Sequence, residues 1–282
     1  MKLIQFDWAI KKMLRHKANF GILEGFLTEL LKFDVKIERI LESEGNQEEL
    51  RDKFNRVDIL VRTKKGELVL VELQNTPEID YFQRMIYGVS KLVTEYIKLG
   101  EAYGTIRKIY SINIVYFSLG QGKDYVYEYQ GNFVGTHFGD ILSPTSNQKD
   151  EFDVKEVADI FPKYYILKIN NFDDVAKDTL DEWIYFLKNS EIKDEFKAKG
   201  LDEAREKMRY ENLDKKSKLI YNRFQEGIRI EKSVIYTAEE TGRKLGEIEK
   251  ARQIAKNLKN AGVSSQIISQ TTGLSEEEIN DL

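Results

Sequence analysis

The sequence predicts an α/β fold in which a mixed β-sheet is flanked by helices and followed by an extended helical C-terminal region. Two largely apolar segments near residue 60, joined by a corner that ends at Gly66, indicate a β-hairpin, and apolar residues recur at helical spacing before and after it. From residue 191 to residue 259 the chain lacks proline and is rich in Lys, Glu, Arg and Asp. With 282 residues, 41% hydrophobic and 33% charged, the chain is long enough for one sizeable core and an appendage.

Composition excludes several classes of site. The chain contains no cysteine and two histidines, which rules out disulfides and thiolate chemistry and disfavours histidine-rich zinc sites. No apolar run reaches the length of about 18 residues needed for a membrane span, and no charged leader opens the chain, so a cytoplasmic protein without membrane contact is expected. A net charge of −4 neither indicates nor excludes nucleic-acid binding, which depends on local charge.

The segment from Phe6 to Leu31 predicts two helices. Asp7 is expected to cap the first of them. Glu24 falls at the edge of the apolar stripe of the second helix. It therefore either turns outward to a lysine or points toward the core, where a carboxylate needs a partner.

A β-hairpin follows, with strands at residues 57–62 and 67–74. A three-residue loop ending at Gly66, whose missing side chain permits a left-handed conformation, predicts a register that sets Asp58 opposite Glu72. Side chains in such a pair are roughly 5 Å apart, and like charges there are destabilising.

Two explanations for this carboxylate pair remain open. Mg²⁺ is commonly held by one or two carboxylates, so the pair can form a metal site. The alternative is a solvated strand face whose charges are offset by Arg56, Arg62 or Lys64. Gln74 shares the face of Glu72, with Arg56 opposite.

After a short predicted strand at residues 35–40 and the hairpin, residues 79–99 predict a long helix. Its expected buried stripe consists of Ile79, Phe82, Ile86, Val89, Val93 and Tyr96. Arg84, Tyr87 and Lys91 form a row beside this stripe. That row either contacts phosphate or carboxylate groups near the hairpin or is an ordinary solvated helix face.

Further elements complete the predicted core. Residues 109–119 are predicted to form a buried strand, residues 125–129 and 132–138 a second hairpin and residues 164–169 a further strand. Residues 173–188 are predicted to form a helix with Val175, Leu180, Trp183, Ile184 and Leu187 inward.

The predicted division is a core domain at residues 1–190, a charged helical arm at 191–247 and a small helical tail at 248–282. The tail resembles a helix-turn-helix, with Ser275 and Glu278 forming a capping box. Because the last helix begins with three glutamates, packing or partner binding is favoured over DNA reading. The C-terminal helices are candidates for homo-oligomer formation.

The ordered motifs resemble the PD-(D/E)XK nuclease superfamily and, within it, a bacterial transposase-related, recombination-promoting nuclease family. The resemblance covers most of the chain and rests on the segments Phe6-Asp7-Trp8-Ala9-Ile10-Lys11-Lys12, Arg56-Val57-Asp58-Ile59-Leu60, Val71-Glu72-Leu73-Gln74, Arg84-Met85-Ile86-Tyr87 and residues 272–279. It implies a restriction-endonuclease-like core for residues 1–190.

The resemblance also implies a site and a reaction. Asp58 and Glu72 would bind Mg²⁺ or Mn²⁺, helped by the Leu73 carbonyl, and Glu24 would complete or support the cluster. The reaction implied is metal-dependent hydrolysis of DNA phosphodiester bonds, associated with recombination or transposon-like mobility.

Arg84 and Tyr87 would support the substrate side of the site. The superfamily signature ends in lysine where this chain has Gln74, and an amide can orient water but brings no charge. Arg56 or Lys91 is a candidate for the missing cation. The alternative is a weak or inactive nuclease fold that binds DNA or protein.

Overall fold

The computed structural model of the chain describes residues 3–41, 58–96 and 102–282. The chain divides into two compact units, Met1–Asp214 and Lys215–Leu282. The predicted arm, residues 191–247, spans this boundary. The division into residues 1–190, 191–247 and 248–282 stays a prediction.

A mixed six-stranded sheet forms the centre of the first unit and confirms the predicted α/β class. Its order is β1-β2-β3-β4-β6-β5, with β3, β4 and β6 parallel and the other pairs antiparallel. The strands are β1 (Ile37–Leu41), β2 (Ile59–Thr63), β3 (Leu68–Gln74), β4 (Ile109–Val115), β5 (Val126–Tyr129) and β6 (Lys163–Lys168).

The helices of the first unit lie before, between and after these strands. They are α1 (Phe6–Lys12), α2 (Phe20–Leu31), α3 (Tyr81–Tyr96), α4 (Ser146–Phe152), α5 (Thr179–Asn189) and α6 (Leu201–Lys207). The second unit contains α7 (Lys215–Asn260), α8 (Ser265–Thr272) and α9 (Glu276–Asn280). No helix in the described ranges is long and apolar enough to cross a membrane.

The hairpin of β2 and β3 has the predicted register. Ile59 pairs with Val71, and one further step along the same register sets Asp58 across from Glu72. At the turn, Gly66 has a φ of 84° and donates its N–H to the Thr63 carbonyl at 2.8 Å. The left-handed glycine thus fixes the register that brings the two acids together.

The long helix exists and Val89 is buried as predicted, but the first half of the predicted buried face was wrong. The buried residues of α3 are Tyr81, Met85, Gly88, Val89 and Leu92. Phe82 and Ile86, which were expected inside, are 47% and 59% exposed. The reason is packing: Tyr81 meets the Phe117 ring edge-on at 5.7 Å, and this contact rotates the helix by about one residue relative to the predicted stripe.

The second predicted hairpin was also wrong. β5 pairs with β6, which follows it by more than thirty residues, and residue 134 only forms an isolated bridge to Ile141. Pairing with β5 completes the ladder of β6 on the side away from β4, so β6 is not an open edge.

The helix predicted for residues 173–188 starts later than expected. Asp178 is its N-cap, and its side chain accepts from the Asp181 N–H. Val175 therefore precedes the helix and is 56% exposed, which corrects its predicted burial.

Helices α1, α2 and α5 meet in an aromatic cluster of Phe6, Phe26, Trp183 and Phe186, with ring centroids 5.5 to 6.3 Å apart. The chain beyond residue 190 adds to this unit. Leu201 and Met208 are fully buried, and the Met208 carbonyl accepts from the Ile4 N–H at 2.8 Å.

In the second unit, the end of α7 packs with α8 and α9 around a small core of Ala255, Ile268, Leu274 and Ile279. The capping box of Ser275 and Glu278 is confirmed. Helix α7 runs without a break through its three glycines, so these residues do not end it.

Candidate functional site

Asp58 stands directly before β2, with its side chain mostly buried. Its Oδ2 accepts from the Leu73 N–H of β3 at 2.6 Å, and its Oδ1 lies 3.3 Å from Lys11 Nζ. Burial raises the pKa of Asp58, while Lys11 and the Leu73 N–H oppose that rise. The carboxyl is therefore held in place by the neighbouring strand and by one cation.

Glu72 lies in the middle of β3 and is 4% exposed. Burial raises its pKa to about 7; Arg84 opposes the rise, and the negative charges of Asp58 and Glu78 add to it. Arg84 Nε approaches Glu72 Oε2 only to 3.7 Å. Around pH 7, Glu72 is thus about half ionised, and its ionised form lacks a full counter-charge among the described residues.

Lys11 of α1 connects two acids. Its Nζ lies 2.7 Å from Asp7 Oδ1 and 3.3 Å from Asp58 Oδ1. Burial lowers the pKa of Lys11, but Asp58 and Asp7 outweigh burial and leave that pKa raised. The ammonium group stays charged at the edge of the site.

The expectation that Asp7 caps α1 was wrong. The N-cap residue is Gln5, and Asp7 lies in the first turn, where it is 5% exposed. Asp7 Oδ2 accepts from Asn75 Nδ2 at 3.0 Å. Because Asn75 directly follows β3, this bond ties α1 to the strand that carries Glu72.

Gln74 is engaged by a carboxylate. Its Nε2 donates to Glu78 Oε1 at 2.7 Å and to the Thr76 carbonyl at 3.3 Å. Arg84 Nη1 donates to the same Glu78 oxygen at 2.7 Å. Glu78 therefore orients both the amide that replaces the signature lysine and the arginine beside Glu72.

The remaining predicted site residues are not all brought to this place. Glu24 Oε1 accepts from the Ile37 N–H at 2.8 Å, and its Oε2 pairs with Lys36 at 3.1 Å, at the start of β1. Tyr87 is 42% exposed one turn beyond Arg84.

Lys91 and Arg56 were also predicted to belong to the site. Lys91 pairs with Glu95 of the same helix at 3.6 Å. Arg56 lies outside the described residues.

The donor set fits a divalent cation. Two carboxylates face each other across the hairpin, which matches the one or two that Mg²⁺ takes from a protein. Within the described ranges, no three carboxylate or imidazole side chains form a metal-binding group. The remaining ligands of a bound ion would therefore be backbone oxygen, water or substrate oxygen.

Three contributors were missed from the sequence. Lys11 follows Asp7 by four residues on a predicted helix, so this pair was visible in the sequence. Glu78 follows Gln74 in the connection between β3 and α3, where a spacing of four residues predicts no contact. Asn75 had no local signal, because its partner Asp7 is 68 residues away.

Comparison with known proteins identifies the family of the chain. Neither the curated proteins nor the solved structures contain a match to the chain. A family model described as PD-(D/E)XK nuclease family transposase matches residues 4–144, half of the chain, and this range includes Asp7, Lys11, Asp58, Glu72 and Arg84. The chain belongs to the PD-(D/E)XK nuclease family transposases.

Proposed function

We propose that the chain is a metal-dependent DNA endonuclease that acts in recombination or transposon-like mobility. One observation carries the proposal: Glu72 is buried opposite Asp58 without a full counter-charge among the described residues, in a chain of a nuclease family. DNA as substrate makes the cytoplasm the expected location.

Asp58 and Glu72 are the proposed ligands of Mg²⁺ or Mn²⁺, with the Leu73 carbonyl as a third ligand and Glu24 as support. A bound divalent ion supplies an activated water and positive charge for phosphodiester hydrolysis. The hydrogen bond from the Leu73 N–H orients Asp58 before any ion binds. Glu24 would support the site indirectly, because it accepts a hydrogen bond from the backbone of β1 and so helps to hold that strand in place.

Arg84 is the proposed substrate-side cation, since it lies 3.7 Å from Glu72 and is held by Glu78. Tyr87 follows it on an exposed face of α3 and offers a hydroxyl to a phosphate. Lys91 remains a proposed contributor to substrate binding, and Arg56 remains one on the basis of the sequence.

Lys11 is the cation that we assign to the role left open by Gln74. Its ammonium group lies 3.3 Å from Asp58 and stays charged. A positive charge at this position stabilises negative charge that develops at the scissile phosphate, which an amide does less well.

Cleavage of supercoiled plasmid tests the proposal. The wild-type chain is expected to nick or linearise plasmid with Mg²⁺ or Mn²⁺ and to stop when EDTA is added. Asp58→Asn and Glu72→Gln are each expected to lower the rate by about 100-fold or more. The matched control is Glu128→Gln, an exposed acid that pairs with Lys163 on the far side of the sheet, and it should cleave normally. Equal cleavage by all four proteins would refute the assignment.

A second candidate function is a catalytically silent nuclease fold that binds DNA or protein. The favouring observation is Gln74, whose amide N–H groups are taken by Glu78 and Thr76. Calorimetric titration separates the two candidates. DNA binding without any binding of Mg²⁺ or Mn²⁺ would favour the silent module.

Self-association through the second unit is a further part of the proposal. Helix α7 exposes apolar side chains along its length, among them Ile230, Val234 and Leu245. Removal of residues 215–282 is expected to reduce the chain to a monomer in light scattering. An unchanged oligomeric mass would exclude this role.

A further inference from the structure

A polar cavity lies at the turn end of the hairpin, away from the carboxylate pair. It has a volume of about 480 Å³, and its lining includes Arg39 of β1, Arg62 of β2, Tyr96 of α3 and Arg107, which precedes β4. Small-molecule sites in proteins commonly have volumes of about 300–1,000 Å³. Arg62 lies four residues from Asp58, about 13 Å along the strand, so this cavity is separate from the proposed metal site.

Its arginines are crowded together. Arg39 and Arg62 are direct cross-strand partners, a placement in which like charges repel. A methyl group built on Gly66 would lie 3.8 Å from Arg62 Nη2 and 4.0 Å from Arg107 Nε, so these two guanidinium groups approach the same point. Three cations thus converge on one side of the cavity.

The acids nearby do not balance these cations. Arg62 Nε lies 3.3 Å from Glu38 Oε2, yet it is buried and makes no hydrogen bond to a described residue. Glu95, the other acid at the cavity, pairs with Lys91. Over the described part of the chain, Arg39 and Arg107 have no ion-pair partner. The cavity therefore carries donors and positive charge for an anion.

The rest of the lining is largely apolar. Leu68 and Ile109 continue the row of Arg39 and Arg62 across the sheet, and Leu92 lines the cavity from α3. Tyr96 of α3 also lines the cavity. Burial and the negative charge of Glu95 raise the pKa of its hydroxyl group, and Arg39 and Arg62 oppose that rise. A ligand that fits this lining has an anionic end for the arginines and a weakly polar body for the apolar side chains.

We propose that this cavity binds a nucleotide, with its phosphate on the arginines and its base against the apolar side chains beside Tyr96. Arginine suits this task because its planar guanidinium donates two parallel hydrogen bonds to phosphate oxygens. The phosphate also removes the repulsion between Arg39 and Arg62. The nucleotide can be free or part of a DNA strand, and both sources present the same chemistry.

Calorimetry on the full chain in metal-free buffer tests the proposal without any cleavage. Deoxyadenosine monophosphate is expected to bind at one saturable site. Inorganic phosphate and deoxyadenosine, which each lack half of the ligand, are expected to bind at least about tenfold more weakly.

Variants locate the site. Arg39→Gln and Arg107→Gln are each expected to weaken nucleotide binding by about tenfold or more, because each removes one charged donor. Both side chains belong to exposed residues, so the variants should fold. The matched control is Arg229→Gln, an exposed arginine of α7, and it should leave binding unchanged.

Three results would overturn the proposal: no saturable binding of the nucleotide, equal binding of nucleotide and inorganic phosphate, or equal affinity in both arginine variants and the control. A 5′-phosphorylated single strand of about ten nucleotides distinguishes the source. Displacement of the nucleotide by the strand assigns the cavity to DNA, and absence of displacement assigns it to free nucleotide. Since no metal is present, failure here is distinguishable from failure of the cleavage proposal.

Discussion

The carboxyl group of Glu72 lies where water barely reaches it, so its ionisation lowers the stability of the folded chain by an amount that depends on pH. The buried carboxyl has a pKa of about 7, compared with an ordinary value of 4.5. The folded chain therefore binds a proton more tightly than the unfolded chain does. The stability gained from that proton is fully present below about pH 4.5 and is lost as the pH rises through 7.

The first prediction follows for the metal-free protein. Between pH 4.5 and 7, ionisation of Glu72 should lower the free energy of unfolding by on the order of 3 kcal/mol. Glu72→Gln removes the ionisable group and should flatten this part of the pH profile. Urea unfolding with EDTA at several pH values measures both proteins. A variant profile that parallels the wild-type profile would show that Glu72 does not titrate in this range.

Lys11 is the second residue whose removal is informative. It lies within 3.3 Å of both Asp7 and Asp58, and these two acids are otherwise left close together with their charges uncompensated. Lys11→Met should destabilise the metal-free protein by about 1–2 kcal/mol. Addition of Mn²⁺ should recover part of this loss, because the ion replaces the missing charge. Lys12→Met, in the next position of α1, is the control. Thermal unfolding with and without Mn²⁺ measures the difference, and equal stability of the two variants would contradict the bridging role of Lys11.

At the scale of elements, α3 connects the carboxylate pair to the packing of the sheet. Arg84 near its start contacts Glu72, while Val89 and Leu92 further along pack on β2, β3 and β4. One side of α3 thus carries both the arginine that contacts the carboxylate pair and the apolar residues that pack on the sheet. A rotation of α3 would withdraw Arg84 and open the core together.

The third prediction distinguishes the observed face of α3 from the one expected from the sequence. Met85→Ala should destabilise the chain by about 2–4 kcal/mol, because Met85 is buried against the sheet. Ile86→Ala, the matched control, should change stability by less than about 0.5 kcal/mol, because Ile86 is 59% exposed. Urea unfolding measures both. A larger loss of stability in Ile86→Ala than in Met85→Ala would support the buried face that was predicted from the sequence.

The elements differ in how far the sequence determines them. The hairpin register was predictable because the length of the loop and the left-handed Gly66 at its end are local signals that together fix which residues pair. The face of α3 was not, because Phe82 and Ile86 make as apolar a stripe as Tyr81 and Met85. The pairing of β5 with β6 was not predictable either, since strand partners distant in sequence leave no local pattern.

The candidate site shows the same division. The opposition of Asp58 and Glu72 followed from the register. The roles of Lys11, Asn75 and Glu78 depend on where α1 and the start of α3 lie against β3, and tertiary packing alone decides that.

At the scale of the whole molecule, the first unit ends later than the predicted core domain. Leu201, Ala204 and Met208 are fully buried within Met1–Asp214, and the Met208 carbonyl bonds to Ile4. This packing was not predicted because residues 191–214 are mostly charged and only a few apolar residues among them form the buried contacts.

The fourth prediction tests where the unit ends. A fragment of residues 1–214 should unfold cooperatively, whereas a fragment of residues 1–190 should lose cooperative unfolding, because it lacks the buried side chains of α6. Circular dichroism during heating measures both fragments. The intact chain serves as the control. Equally cooperative transitions in both fragments would support the domain boundary at residue 190.

The central claim is that the hairpin carboxylates bind a divalent cation, and calorimetric titration with Mn²⁺ tests it most directly. At pH 8, the wild-type chain and Glu128→Gln should bind Mn²⁺ at a saturable site. Asp58→Asn and Glu72→Gln should each bind at least about tenfold more weakly, since each removes one charged ligand. Unchanged Mn²⁺ affinity in both hairpin variants would contradict the account.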